Sequence, residues 1–374
     1  MEKKVIVVSG PNLIDGGPIS VFVDFLRAIV NGGYCERFKI IALVGKKELF
    51  TEFSGKIELI EFRKSKSNWL YRLFYEYIYF NHLSRKIRPY VWISMHDMTP
   101  NIKAEHRYVY CHNPSPFNNM SLKEVKFGVK YYLFSKFYKY LYAINIKKND
   151  AVIVQQEWMR NEFKNMFGIN NVIVARPSMP DVKQIEDTSN NEKEFIFVFP
   201  SFPRYYKNFQ VVCEAAKKLE KQGKYKFKVI ITLDGTENSY SNYLYNAYGD
   251  LKTITFSGLL SREKLFSVYG QSSCMLFMSK LETWGMPITE YKMSNKPLIV
   301  ADLPYAHETV GDYSNVSYIN PDDVNALANS MELLLKGGAF TAPVKLKSVD
   351  APYADNWDAL CELLFRYRKN CYDT

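Results

Sequence analysis

Short apolar runs alternate with longer amphipathic segments along most of the chain. Each run has the length of a buried strand, and each amphipathic segment between runs has helical spacing. Alternation of this kind is typical of parallel sheets whose strands are connected by helices, so the pattern predicts an α/β fold. The predicted strands span residues 5–9, 39–44, 57–62, 90–94, 108–111, 151–154, 195–199, 227–232, 253–256, 274–278, 297–301 and 317–319.

The chain has 374 residues, which is more than one hydrophobic core usually organises, so we expect two domains. A polar, apolar-poor stretch at residues 181–194 follows Pro177 and Pro180, and we interpret it as the linker. The predicted domains span residues 1–180 and 195–352, and a terminal segment, 353–374, has helical spacing over residues 356–372.

Two carboxylates, Glu282 and Glu290, follow the predicted strand at 274–278, with Gly285 and Pro287 between them. Proline is favoured in the first turn of a helix, so the local pattern predicts a strand, a tight loop and a helix. The backbone N–H groups at the start of such a helix favour an anion, for example a phosphate.

This stretch continues as YKMSNKPLIVADLPYAHETVGD and INPDDVNALANSMELLL. Together with the two carboxylates, it resembles the family 4 retaining glycosyltransferases. The resemblance implies the GT-B fold, in which two doubly wound Rossmann-like domains face each other across a cleft. It also implies that the terminal segment 353–374 returns to the first domain.

The resemblance assigns roles to residues that bind a nucleotide-sugar donor. Glu282 is expected near the transferred sugar and Glu290 at the ribose, with the amides of Trp284, Gly285 and Met286 at the diphosphate. Lys207, just before a predicted helix, corresponds to the family's phosphate-binding lysine. The family's usual arginine position holds Phe202 in this chain, and Arg204 is the candidate replacement.

Three loops after other predicted strands complete the expected site. Gly16 and Gly17 follow the first strand, where glycine lets the backbone approach a ligand and where the family has a Gly-Gly loop. Leu259 and Leu260 correspond to the segment that packs against the nucleotide base. His112 follows the strand at 108–111, and a histidine at a strand end can bind sugar hydroxyls or transfer protons, so we expect it to be catalytic.

Charge is distributed unevenly along the chain. The net charge is +10, of which residues 1–180 contribute +12 (27 Lys/Arg against 15 Asp/Glu) and residues 181–374 contribute −2 (22 against 24). The basic half favours an anionic membrane surface, a phosphorylated acceptor or nucleic acid as a partner. Two aromatic-rich, Lys/Arg-containing segments, 67–86 and 125–146, fit an interfacial surface, a single-stranded nucleic-acid platform or ordinary core helices with a wet Lys face.

These observations predict a retaining glycosyltransferase. It would transfer a sugar from a nucleotide-diphosphate sugar to a saccharide acceptor, expected to be lipid-linked, in bacterial surface polysaccharide synthesis. Two alternatives remain open: a GT-B nucleotide-sugar epimerase, and a noncatalytic basic protein that binds membrane or nucleic acid.

We expect no cofactor and no essential metal. The HETVG stretch at 307–311 lacks the second histidine of a zinc protease motif, and no carboxylate cluster suggests a dedicated metal site. The six cysteines are scattered, which fits a reducing cytoplasm. No apolar stretch reaches the length of a membrane span. We therefore expect a cytoplasmic protein, peripheral on the inner face of the membrane if it binds lipid.

Overall fold

The computed structural model describes residues 3–117, 125, 127, 129–177, 185–189, 194–343 and 348–365. The internal contacts divide the chain into two compact units. The first unit comprises Met1–Phe117, Phe134–Ser178 and Val349–Thr374, and the second comprises Asn118–Leu133 and Met179–Ser348.

The first unit contains one parallel sheet of eight strands within the described residues. The strands lie in the order β14-β7-β6-β5-β4-β1-β2-β3, so the direction of strand addition reverses between β1 and β4. The strands are β1 (Val5–Gly10), β2 (Lys39–Val44), β3 (Glu58–Glu61), β4 (Val91–Ser94), β5 (His106–Tyr110), β6 (Ala151–Val154), β7 (Val172–Ala175) and β14 (Tyr353–Ala354).

Helices cover this sheet and connect its parallel strands. They are α1 (Gly16–Asn31), α2 (Tyr34–Arg37), α3 (Trp69–Phe74), α4 (Phe80–Ile87), α5 (Val129–Ala143, which belongs to this unit from Phe134 on), α6 (Glu157–Phe167) and α13 (Trp357–Phe365). A π-helical turn, Tyr75–Tyr79, joins α3 to α4. Residues 353–365 pack on this unit, because β14 pairs with β7 and the Trp357 ring lies 5.5 Å from the Phe25 ring of α1.

The second unit contains a parallel sheet of six strands in the order β10-β9-β8-β11-β12-β13. Counted from its first strand, this is the 3-2-1-4-5-6 order of a dinucleotide-binding fold, which reverses between β8 and β11. The strands are β8 (Phe195–Phe199), β9 (Phe227–Ile231), β10 (Ile254–Phe256), β11 (Cys274–Phe277), β12 (Leu298–Ala301) and β13 (Val316–Ile319).

The helices of the second unit follow its strands in alternation. They are α7 (Phe209–Gln222), α8 (Ser239–Tyr248), α9 (Arg262–Gln271), α10 (Met286–Lys292), α11 (Pro304–Val310) and α12 (Val324–Leu335). In the described parts of both units, no helix has both the length and the apolar content needed to cross a membrane.

The α/β fold class and all twelve predicted strands are confirmed, with bounds that shift by no more than a few residues. Two strands were missed, β7 and β14. The terminal helix is described over Trp357–Phe365, and the rest of the predicted 356–372 helix lies outside the described residues. Of the predicted linker, residues 181–184 and 190–193 also lie outside them. Its described residue Asp187 pairs with Lys296 at 2.8 Å.

The unit boundaries differ from the expected domains in one segment. Residues Asn118–Leu133 belong to the second unit, although the sequence predicts them within 1–180. Among its described residues, Phe127 carries this assignment. Its ring stacks on Tyr205 at 5.7 Å and meets the edge of Tyr240 at 5.1 Å, so aromatic packing holds it to the second unit.

Candidate active site

The reversal of strand order in the second unit brings two predicted residues together. Lys207 ends a 3₁₀ turn after β8, and Glu282 lies in the loop after the neighbouring strand β11. Loops at the carboxyl ends of two strands diverge at such a reversal and leave a crevice that binds ligands. The amide of Lys280 donates to the Tyr206 carbonyl at 2.7 Å, which joins the two loops directly.

Lys207 and Glu282 form an ion pair within this crevice. The Lys207 ammonium donates to the Glu282 carboxylate, and their side chains are 15% and 12% exposed. A pair this close and this shielded is screened less than a surface pair. In the ligand-free chain, each residue therefore balances the charge of the other, and an anionic ligand would compete with Glu282 for Lys207.

The turn before α7 is stabilised by Asn208, although its side chain does not cap the helix. Asn208 has a left-handed backbone, with φ of 61°. Its amide donates to the carbonyls of Met278 at 3.2 Å and Pro321 at 2.7 Å. The side chain of Asn208 thus fixes the turn that presents Lys207.

Glu290 lies in α10, and its side chain is 13% exposed. Burial raises the pKa of its carboxyl, opposed by the nearby charge of Arg262 and by the Tyr269 hydroxyl. Arg262 approaches the carboxylate to 3.7 Å from the first turn of α9. Arg262 and Tyr269 could not be identified from the sequence. A basic residue at the start of a helix is common, and the separation of Arg262 and Glu290 along the chain gives no sign that their side chains pair.

Other side chains hold the loop before α10 in place. Gly285 adopts a φ of 86°, which is strained for any residue with a Cβ. The Trp284 indole donates to the Thr289 hydroxyl at 2.9 Å, and the Thr309 hydroxyl donates to the Trp284 carbonyl. The Tyr305 hydroxyl donates to the Ser279 carbonyl at 2.7 Å. The Trp284 ring is therefore buried and helps to hold the loop in place.

The other residues expected to bind the donor lie in the loops that precede α7 and α9. The Arg204 guanidinium lies over the Phe202 ring at 5.0 Å, so the residue at the family's usual arginine position contacts its candidate replacement. Leu259 is 54% exposed, and Leu260 is partly buried. Both lie just before α9, whose first residue, Arg262, reaches Glu290.

The reversal in the first unit carries a different set of groups, between the ends of β1 and β4. The His96 ring is fully buried, with Nδ1 2.9 Å from the Ser9 carbonyl and Nε2 2.7 Å from Glu76 Oε1. Because a carbonyl can only accept, Nδ1 of His96 must carry a proton and donate it. Nε2 and the buried Glu76 carboxyl then share one further proton.

The next residue, Asp97, organises the loop that carries His112. Its φ of 71° lies in the left-handed region, which aspartate tolerates better than most residues. One carboxylate oxygen accepts from the amides of His112 and Asn113 at 2.7 and 3.1 Å and from the Tyr142 hydroxyl at 2.9 Å. Asp97 thereby fixes the backbone conformation at His112.

His112 itself has two different nitrogen environments. Nε2 lies 3.6 Å from the other oxygen of Asp97, whereas Nδ1 is buried with no hydrogen-bond partner in the structure. Burial lowers the pKa of the imidazole, opposed by the charge of Asp97. A neutral ring with its proton on Nε2, facing the carboxylate, leaves the Nδ1 lone pair able to accept a hydrogen bond from a hydroxyl group.

Gly16 and Gly17 form the first two residues of α1, so they lie at the helix start and not in the preceding loop. Gly16 has a φ of 72°, and a Cβ placed on Gly17 would meet no atom within 4 Å. The backbone of Gly16 therefore needs glycine. The packing around Gly17 does not require glycine, because the space beside its Cα is open.

No group of three or more His, Cys, Asp or Glu side chains that could hold a metal ion occurs among the described residues. Five cysteines are described as free thiols, and the sixth, Cys371, lies outside the described residues.

Comparison with known proteins identifies the second unit. Residues 181–347 match the family model described as "Glycosyl transferases group 1". Over these residues the chain is similar to the group 1 glycosyl transferases. The match covers the loops that carry Lys207, Glu282 and Glu290, so the resemblance found in the sequence is confirmed at the level of the family.

The chain also has a curated relative. The chain is 24% identical over 192 residues to the O-antigen chain mannosyltransferase RfbU of Salmonella typhimurium strain LT2. The aligned region covers 50% of this chain and 51% of that protein, so the match spans about half the length of the curated relative.

Solved structures of low sequence identity share the fold over most of the chain. Sucrose-phosphate synthase from Thermosynechococcus elongatus has a TM-score of 0.64 at 12% identity, with 89% of this chain and 90% of that chain covered. The lipopolysaccharide outer core galactosyltransferase WaaB has a TM-score of 0.62 at 11% identity, with the same coverage. These likenesses confirm the predicted GT-B fold class.

Proposed function

We propose that this chain is a retaining glycosyltransferase that moves a sugar from a nucleotide-diphosphate sugar to a saccharide acceptor. The observation that carries the proposal is the ion pair between Lys207 and Glu282 at the strand-order reversal of a group 1 glycosyl transferase domain. A cation and a carboxylate held side by side in a ligand-binding crevice suit a substrate that joins a diphosphate to a sugar.

In this proposal, the donor lies along the second unit. Glu290 accepts hydrogen bonds from the ribose hydroxyls, and Leu259 and Leu260 pack against the base. Lys207 and Arg204 stabilise the departing diphosphate, on which negative charge builds as the glycosidic bond breaks. The amides of Trp284, Gly285 and Met286 contact the same group.

Glu282, in the second unit, acts at the transferred sugar, and His112, in the first, binds a substrate hydroxyl. The Glu282 carboxylate accepts hydrogen bonds from sugar hydroxyls once the diphosphate draws Lys207 toward itself. His112 is buried, its pKa is lowered, and Nδ1 has no partner in the structure, which suits a neutral acceptor for a hydroxyl. The hydroxyl of the acceptor saccharide loses its proton to the leaving phosphate. In the first unit, Gly16 and Gly17 let the backbone approach a ligand.

The acceptor is proposed to be a lipid-linked saccharide of a bacterial surface polysaccharide, reached from the cytoplasmic side of the membrane. The relatives support this class of product, because one extends O-antigen chains and another acts on the lipopolysaccharide outer core. No metal is proposed to be essential. The cations Lys207 and Arg204 would supply the charge that a divalent ion supplies in other transferases.

Ligand-induced stabilisation tests the donor proposal directly. Thermal unfolding is followed with UDP-, GDP-, dTDP- and CMP-sugars and with the free nucleotides, on the wild type and on Glu290→Ala. A ligand present at about 100 times its dissociation constant adds about 2.7 kcal/mol to the free energy of unfolding. We expect one base to raise the melting temperature and Glu290→Ala to weaken that shift.

A matched control variant is Glu263→Ala. Glu263 is an exposed carboxylate in the first turn of α9, next to Arg262, and its side chain makes no hydrogen bond within the described part of the chain. It should keep the full shift. The proposal fails if no nucleotide stabilises the wild type at concentrations well above a millimolar, or if both variants lose the shift equally.

A further inference from the structure

An apolar stripe faces solvent on the first unit. Leu70, Phe74 and Ile78 are 73%, 44% and 63% exposed, and each lies four residues from the next. Residues four apart share one face of a helix, and these three run from α3 into the π-helical turn. Trp69 and Tyr71 flank the stripe, each 42% exposed.

The opposite side of this segment is anchored by polar contacts. Glu76 is fully buried and bonds the His96 ring, and Arg72 donates to the His96 carbonyl at 3.1 Å. Buried polar groups with these partners fix the rotation of the helix. The apolar stripe is therefore held outward by the structure.

A second stripe lies on α5 and the turn that follows it. Phe137, Tyr140 and Ile144 are 59%, 60% and 39% exposed. On the other face of the same helix, Tyr138 and Tyr142 are buried, and the Tyr142 hydroxyl donates to Asp97. Both stripes thus belong to helices that are anchored on the loop after β4, at one end of the same sheet.

The segments that carry the stripes are rich in Lys and Arg. Residues 63–88 contain seven Lys/Arg and one carboxylate, Glu76, which is buried against His96. Two of the seven, Arg63 and Lys66, pair with carboxylates from outside this segment. Residues 136–148 contain four Lys and no carboxylate. An exposed apolar surface rimmed by one sign of charge marks an interaction site, and the positive rim selects an anionic partner.

We propose that the two stripes dock the first unit onto a bilayer that contains anionic lipid. Aliphatic and aromatic side chains enter the headgroup region, while the surrounding Lys and Arg meet the lipid phosphates. This inference deepens the proposed function, because it names the surface that brings the enzyme to a lipid-linked acceptor.

Two other occupants fit the surface less well. A second copy of the chain would bring two basic rims together, which costs free energy. Single-stranded nucleic acid stacks on aromatic rings, whereas the two most exposed residues of the first stripe, Leu70 and Ile78, are aliphatic.

Co-sedimentation with vesicles tests the docking surface. Vesicles of phosphatidylcholine with and without phosphatidylglycerol are mixed with the wild type, with Leu70→Asp/Ile78→Asp and with Arg85→Glu/Lys86→Glu. We expect the wild type to bind the anionic vesicles, and each double variant to bind them roughly tenfold more weakly or worse. Added salt should weaken wild-type binding, because it screens exposed charges.

The control variant is Leu49→Asp, since Leu49 is 42% exposed in the same unit but outside both stripes. It should bind like the wild type. The proposal is overturned if the wild type binds no vesicle or binds neutral vesicles equally well, or if Leu49→Asp loses binding as much as the stripe variants. It is also overturned if the stripe variants change only self-association in sedimentation velocity or binding to single-stranded nucleic acid.

The nucleotide-induced rise in melting temperature separates this inference from the proposed function. The stripe variants should keep the full rise, because the stripes lie outside the donor-binding residues. Vesicle binding without any nucleotide response would leave the docking surface standing and the transferase proposal rejected. A nucleotide response without vesicle binding would support the transferase proposal and reject the docking surface.

Discussion

The sheets of the two units reverse their strand order at the same place, between the first and the fourth strand. The side chains at this reversal differ in kind between the two units. In the second unit, the loops after β8 and β11 hold a partly shielded ion pair, Lys207 with Glu282. In the first, the loop after β4 holds two buried sets of hydrogen bonds: His96 with the Ser9 carbonyl and with Glu76 of the π-helical turn, and Asp97 with the backbone at His112. The difference shows that the fold supplies the crevice, while its loops decide whether the crevice suits a phosphate or a hydroxyl.

Burial explains how each crevice handles its charges. The ion pair in the second unit keeps some exposure, so a diphosphate can reach and compete for Lys207. The groups of the first unit are shielded almost completely and hold one another through hydrogen bonds, which favours a rigid support for His112. The comparison predicts that variants in the two crevices fail in different ways.

The largest expected effect is on catalysis in the second unit. Lys207→Ala should lower the rate of sugar transfer by roughly a hundredfold to a thousandfold, because it removes a preorganised cation from the leaving diphosphate. The measurement is the initial rate with the donor base identified by thermal stabilisation. Lys280→Ala is the control, since Lys280 lies in the adjacent loop and pairs with the exposed Asp322. Equal losses in both variants would contradict the role of Lys207.

A smaller effect, on stability, is expected in the first unit. Glu76→Ala should cost about 1–3 kcal/mol, because it leaves Nε2 of His96 buried without a partner. Glu76→Gln should cost less, since its amide can donate to Nε2 while Nδ1 keeps its bond to Ser9. Urea unfolding measures both. If the two substitutions cost the same, the hydrogen bond to His96 is not what Glu76 contributes.

The pH dependence of His112 distinguishes the first crevice further. Burial lowers its pKa in the folded chain, so between the folded and unfolded values the unfolded state binds more protons. The contribution of the neutral His112 ring to the free energy of unfolding is complete above the ordinary pKa range of histidine. It is lost as the pH falls through that range toward the lowered pKa of the folded chain. Urea unfolding between about pH 5 and pH 7.5 should therefore show a weaker loss on acidification in His112→Gln than in the wild type. An identical loss in both would contradict the lowered pKa.

The smallest effect concerns Glu290 in the second crevice. Its pKa is raised by burial, so the folded chain holds this proton more tightly than the unfolded chain does. Its ionisation therefore costs stability once the pH exceeds the ordinary glutamate range. Without nucleotide, Glu290→Gln should unfold at a higher temperature than the wild type at neutral pH, and the difference should shrink below that range. A less stable variant at neutral pH would mean that the attraction of Arg262 outweighs burial.

The sequence was sufficient for most of the fold. Each confirmed strand is a local apolar run, and the helices of the fold follow from the local spacing of apolar residues. Residues that are close in sequence are therefore enough to predict these elements. β7 was missed although its run, Val172–Ala175, is as apolar and as long as that of the predicted strand β6. β14 has only two residues and exists through its pairing with β7, which no local pattern can reveal.

The candidate site divides in the same way. The sequence alone determined which residues could carry the chemistry, because strand-end loops, glycine positions and the carboxylate spacing are local features. Only the tertiary structure decided that Lys207 meets Glu282, that Arg262 reaches Glu290 and that Glu76 supports His96. These partners are separated by 20 to 75 positions. They meet because the order of strands in each sheet, and the packing of helices on it, fix which loops become neighbours.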